Sequence, residues 1–82
     1  MGYSMVMIPK LYTRPTRASC RMLKNYLDRR GVEYELIDVD QHPEKFTDVM
    51  TFSNATTVPQ LAVGMTVVVG LNLPRIIELL DL

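Results

Sequence analysis

The sequence predicts an α/β fold, a four-stranded mixed sheet with helices on both faces, in the order β-α-β-α-β-β-α. Three observations predict it. Segments rich in strand formers alternate with segments whose apolar residues recur at helical spacing. The first two strand segments are joined through a helix, which makes a parallel pair with a right-handed crossover. The last two are joined by a tight turn at Gly64, which makes an antiparallel pair. With 82 residues there is room for one domain, residues 1–82, and residues 1–8 are expected to be a flexible lead-in. A hydrophobic content of 48% is ample for a packed core.

The first strand is expected over residues 10–14, with Pro9 tolerable at its start. Pro15 and Thr16 break it, and Thr16 is the expected N-cap of a helix over 17–30. Met22, Leu23, Tyr26 and Leu27 form the apolar stripe of that helix, and Gly31 ends it where a left-handed residue is wanted. Residues 32–36 alternate with period two, and 37–39 extend them into a second strand. Pro43 and Glu44 suit the first turn of a second helix. Phe46, Val49, Met50 and either Phe52 or Ser53 line its inner face, and Asn54 stops it. Residues 57–63 read as a third strand entered through Pro59, and 65–69 as a fourth. Gly70 and Asn72 lead into the last helix, with Pro74 in its first turn and Leu73, Ile76, Ile77 and Leu80 facing inward. The six methionines are read as core filler, and His42 as a surface cap.

Composition narrows the function. One cysteine cannot form an intrachain disulfide, so a secreted disulfide scaffold is excluded. One cysteine and one histidine also cannot supply a four-ligand zinc site, and no metal is expected. Zero net charge argues against nucleic acid as a partner. The longest apolar stretch, residues 61–71, falls far short of the roughly 20 residues that span a bilayer. The N-terminal residues lack the basic region of a secretory signal. The expectation is a cytoplasmic monomer with a reduced thiol. The charges are nevertheless uneven. Lys10, Arg14, Arg17, Arg21, Lys24, Arg29 and Arg30 are seven of the nine cations, opposed in that stretch only by Asp28. Arg17, Arg21 and Lys24 share a helix face, and Arg14 can reach the same end. Such a cluster is an anion site or simply a solvated surface.

Tyr12-Thr13-Arg14-Pro15-Thr16 resembles the strand-to-loop segment that precedes the redox motif in glutaredoxins and NrdH-type redoxins. Thr57-Val58-Pro59-Gln60 resembles the Thr-Val-Pro segment of the same families, whose proline is cis. Gly70 lies about where they carry a Gly-Gly pair. The resemblance covers residues 9–82 and implies a thioredoxin-like fold, in agreement with the element order. It also implies thiol–disulfide exchange with a protein disulfide as partner, ribonucleotide reductase by family resemblance, whereas an acidic peptide is the partner of a non-redox binding role. No resident cofactor is expected, and glutathione is the small ligand implied. By resemblance, Arg14 helps hold a glutathione carboxylate, Thr16 beside it belongs to the same ligand-binding set, and the Val58 backbone beside Pro59 pairs with the cysteinyl part. Gly70, Leu71 and Asn72 then face the γ-glutamyl end, where Val69 replaces the first glycine and is expected to crowd the approach.

The departure is at the redox motif. Where the family has Cys-x-x-Cys, this chain reads Arg17-Ala18-Ser19-Cys20. Arg17 therefore stands at the position of the nucleophile, and Cys20 at that of the resolving cysteine. Placing Cys20 first would require a three-residue insertion that Pro15 and Thr16 do not need. Exchange needs a thiolate at an exposed helix N-terminus, and Cys20 lies one turn further in. Monothiol members keep the first cysteine and lose the second, the reverse of this chain. Two functions follow: a redoxin by descent whose dithiol activity is lost or reduced, with Cys20 as the residual thiol, or a binding module for an acidic peptide, glutathione-like anion or partner protein. Cys20 is also open to a simpler reading, a small buried inert residue.

Overall fold

A computed structural model describes residues 7–82; the first six residues of the expected lead-in lie outside that range. The elements are β1 (Lys10–Thr13), α1 (Ala18–Arg29), β2 (Glu35–Asp38), α2 (Pro43–Ser53), β3 (Gln60–Val63), β4 (Thr66–Val69) and α3 (Leu73–Leu80). The sheet order is β2-β1-β3-β4, with β1 parallel to β2 and antiparallel to β3, and β3 antiparallel to β4. The sequence therefore predicts the elements, their order and the mixed sheet.

Alternation along β1 divides the core in two. Leu11 points to one face, where it joins Leu23, Leu27, Leu61, Val68 and Ile76 beneath α1 and α3. Tyr12 points to the other, with Ile37, Val39, Phe46 and Val49 beneath α2. Leu11, Leu23, Leu27, Leu61 and Ile76 are fully buried, each stabilising the fold by about 1.5–3 kcal/mol relative to exposure. Positive-φ residues end two of the helices: Asn54 after α2 and Asp81 after α3. Gly31, at φ +69°, turns the chain after α1.

Several expectations need correction. The second strand begins at Glu35, not residue 32, because Val32 N–H still bonds back to Leu27 C=O in the turn that closes α1. The third begins at Gln60, because its pairing with β1 ends at Tyr12 and Pro59 has no N–H to give. Met65 is not in the fourth strand; it forms the hairpin tip with Gly64 and is 79% exposed. Met7 and Met22 are exposed as well, so only Met50 of the methionines among the described residues packs against a core cluster. Met22 precedes Leu23 by one position, about 100° around the helix and off the buried line of Cys20, Leu23 and Leu27. Phe52 is exposed and Ser53 half-buried, its Oγ accepting from Ala55 N–H. On α3, Leu79 packs against the core with Leu73 and Leu80, in place of Ile77.

Candidate functional site at the start of α1

β1 delivers the chain into a turn closed by Arg17 N–H donating to Arg14 C=O at 2.9 Å. That bond places Thr16 inside the turn, exposed, and makes Arg17 the N-cap. The cap expected at Thr16 is therefore displaced by one residue. Arg17 has extended backbone (φ −94°, ψ 126°), its C=O accepts from Arg21 N–H, and its side chain makes no capping bond. With no side-chain cap, the amides at the start of α1 are left to solvent or a ligand.

Cys20, in the first turn of α1, is only 2% exposed. It packs in the cluster of Tyr12, Ile37, Val39, Phe46, Val49 and Val58. It is a free thiol.

The basic residues are mostly engaged. Arg14 Nε donates to Asp40 Oδ1 at 2.9 Å, and Arg21 Nη1 donates to Pro15 C=O at 3.0 Å, bracing the turn. Lys24 pairs with Asp28 at 3.1 Å. Arg30 Nη1 donates to the Tyr26 hydroxyl, with its guanidinium 5.7 Å from that ring. The exposed Arg17 guanidinium makes no hydrogen bond or ion pair among the described residues. At the start of α1, Arg17 is thus the cation left unengaged among the described residues, while Arg14 and Arg21 each keep guanidinium nitrogens outside the bonds named.

The other wall comes from the start of β3 and the end of β4. Val58 is buried, and the Val58–Pro59 bond is cis. Gly70, at φ +81°, donates its N–H to Pro59 C=O at 2.8 Å. The structure thus unites Cys20 with Val58 in one cluster, and Pro59 with Gly70 through one hydrogen bond. Leu71, half-buried, packs against the α1/α3 cluster. Asn72 caps α3, its Oδ1 accepting from Arg75 N–H at 3.4 Å. His42 precedes α2 without a side-chain cap bond, its Nδ1 3.7 Å from Glu44.

Two residues near the site have no assigned role in the sequence reading. Asp40 restrains Arg14. Gln60 is completely buried; its Nε2 donates to Ala55 C=O (3.2 Å) and Thr57 C=O (2.9 Å), while its Oε1 has no partner among the described residues. The amide thereby holds the segment leading to Val58. A glutamine inside an apolar strand is the signal that could have revealed it.

Away from the site, the Asp28 carboxylate accepts from Tyr34 Oη at 2.7 Å and from Lys24, which holds it below the usual carboxylate range. Burial and that bond push the Tyr34 hydroxyl up to about 12. The Tyr12 hydroxyl is raised first by burial and then by the Glu35 and Asp48 charges. A groove of about 570 Å³ opens on the α2 side of the sheet, lined by residues including Met7, Phe52, Met65 and Val67. None of the candidate residues lines it, so volume and chemistry part company here. No cluster of three or more His, Cys, Asp or Glu occurs among the described residues, and no helix there is long and apolar enough to cross a membrane.

Comparison with known proteins gives a consistent result. The glutaredoxin family model matches residues 10–68. A glutaredoxin from Pseudomonas aeruginosa is 35% identical over 60 residues, 73% of this chain and 71% of its own. The glutaredoxin-like protein NrdH-redoxin from Escherichia coli superposes with a TM-score of 0.76 at 27% identity, covering 90% of this chain and 95% of its own. A glutaredoxin from Archaeoglobus fulgidus has the same fold, with a TM-score of 0.82 at 24% identity over 94% of this chain and 89% of its own.

Proposed function

The chain belongs to the glutaredoxin family, and we propose that it is a member without dithiol turnover, whose α1 end serves to bind an anionic group. One observation carries the proposal. The residue at the helix N-terminus is Arg17, and the only thiol lies behind it, 2% exposed in the core. A dithiol cycle needs an accessible thiolate to attack a substrate disulfide and a second thiol to resolve the mixed disulfide. This chain has one cysteine for both roles.

What the α1 end retains is suited to binding. Uncapped helix amides attract anions, and the Arg17 guanidinium adds charge and directed donors. An acidic peptide, a carboxylate of a glutathione-like tripeptide, or an acidic segment of a partner protein fits those donors. The Val58 backbone, beside Pro59, is the neighbouring surface for an extended peptide. We place this activity in a reducing compartment, the cytoplasm, in keeping with a single free cysteine.

Titration of the isotope-labelled protein with reduced glutathione and with an acidic peptide tests the reading. Saturable amide shifts at Ala18, Ser19 and Val58, weakened at least about tenfold by Arg17→Ala, are expected. No localised shift up to millimolar ligand overturns the binding role. Turnover of a disulfide substrate by the unmodified chain, abolished in Cys20→Ser, overturns the loss of redox activity.

A further inference from the structure

We propose that two copies of this chain associate through β4, edge to edge about a twofold axis, extending the two sheets into one. The interface is formed by β4 and uses no residue of α1.

The sheet has two edges, β2 and β4. β2 carries Glu35 and Asp38, and self-pairing there would bring carboxylates from the two copies together. β4 reads Thr66-Val67-Val68-Val69, with no charge and no proline, the devices that ordinarily blunt an edge. Exposed apolar side chains add to the attraction: Met65, just before β4, is 79% exposed and Val69, its last residue, 38%. The tight turn at Gly64 and Met65 sets the ladder alternation, and Gly70 N–H on Pro59 C=O continues it. Thr66, Val68 and Gly70 thus direct their amides toward β3. Val67 and Val69 direct theirs away, toward solvent.

Antiparallel pairing centred on Val68 satisfies those groups. Val67 N–H then donates to the C=O of the partner's Val69, Val69 N–H to the C=O of the partner's Val67, and symmetry repeats both bonds. The side chains of Val67 and Val69 lie on the α2 side of the sheet, where Val67 lines the 570 Å³ groove. Pairing sets these valines beside those of the partner, so the strip of apolar side chains is covered as the edge is closed.

Charge selects a second copy as the occupant. From Val49 to Pro74 the sequence contains no ionisable residue, a run of 26 in a chain that is 22% charged. A twofold axis sets like residues against like, so a charged surface opposes itself while this strip does not. The basic excess lies before residue 32, and most acids follow it, outside that strip.

Sedimentation from micromolar to millimolar chain, combined with amide exchange on the whole protein, tests the inference. The expected result is a shift from 9.4 kDa toward twice that mass. With nine-tenths of the chain dimeric, Val67 and Val69 amides should exchange about tenfold more slowly than in the monomer, while the Val68 amide, already bonded to β3, does not change. Val69→Lys, at an exposed position, should keep the circular dichroism spectrum and abolish the mass shift. A chain that stays at 9.4 kDa to millimolar concentration overturns the proposal, as does a dimer whose new protection falls outside β4.

Discussion

Gln60 offers a sharp test of how the wall of the site is held. The side chain is completely buried, donates to the carbonyls of Ala55 and Thr57, and leaves Oε1 without a partner among the described residues. The two accepting carbonyls fix the amide orientation, because a flipped amide would oppose oxygen to oxygen. Gln60→Met removes two neutral hydrogen bonds, worth about 1 kcal/mol each. It also removes the buried oxygen, whose lack of a partner costs about 1–3 kcal/mol. The terms offset, so the Met variant should lie within about 1 kcal/mol of the parent. Gln60→Glu is different. At neutral pH it sets a carboxylate against two carbonyls in the core and should cost at least about 3 kcal/mol.

That carboxyl must have a folded-state pKa raised above its unfolded value of about 4.3. The variant is therefore most stable, relative to the parent, below that value and loses stability as pH rises through the raised one. Urea unfolding followed by circular dichroism at pH 4 and pH 7 measures both. With a slope of roughly 1 kcal/mol/M, the Glu variant at pH 7 should shift its midpoint down by about 3 M or be unfolded outright. A Glu variant as stable as the parent at pH 7, or a Met variant weakened by more than about 3 kcal/mol, would refute the account of Gln60.

Further outcomes follow from the same structure. Leu27→Ala, at a fully buried site, should cost about 2–5 kcal/mol in urea unfolding, whereas Met22→Ala, at an exposed one, should stay within about 0.5 kcal/mol. Because Asp28 is held below the usual carboxylate range, its bond to Tyr34 contributes stability above the unfolded carboxyl pKa, and this is lost as pH falls through the lowered folded value. At the alkaline end the same bond contributes fully below the unfolded tyrosine pKa of about 10 and is lost as pH rises toward about 12. Ultraviolet titration should therefore show Tyr34 titrating late, as Tyr12 also does, and Tyr34→Phe should remove the Tyr34 share of that late change. Cys20, being buried, should react with a thiol reagent about a hundredfold more slowly than in the unfolded chain, and faster as denaturant opens the fold.

The legible part of this protein was its pattern. Leu11 and Tyr12, adjacent on β1, serve the two opposite cores, and Leu23 and Leu27 face the sheet as their helical spacing requires. Tight punctuation was legible too: Gly31, Asn54 and Gly64 end elements where expected. What the sequence concealed depends on distant partners. Whether Thr16 or Arg17 caps α1 depends on the Arg14–Arg17 turn bond, since Thr16 has the better capping side chain. That Arg14 is held by Asp40, 26 residues away, is a tertiary fact with no local signal. The methionines misled because their composition is apolar, while burial is set by position: Met7 precedes β1, Met22 lies off the buried stripe and Met65 tips a hairpin. In the candidate site, the sequence named the cysteine and the arginine, and the fold supplied the burial of one and the exposure of the other.

The central claim, that this glutaredoxin-family chain lacks dithiol turnover because its helix N-terminus presents Arg17 and not a thiol, is tested most directly by Arg17→Cys. The variant's new thiolate should attack a substrate disulfide, forming a mixed disulfide and releasing one substrate thiol. Attack by the Cys20 thiolate then releases the second thiol and leaves a protein disulfide, which dithiothreitol returns to the dithiol as it is itself oxidised. The account predicts background rates for the unmodified chain and for Cys20→Ser, and a gain of at least about a hundredfold for Arg17→Cys. Turnover by the unmodified chain that matches Arg17→Cys would contradict it.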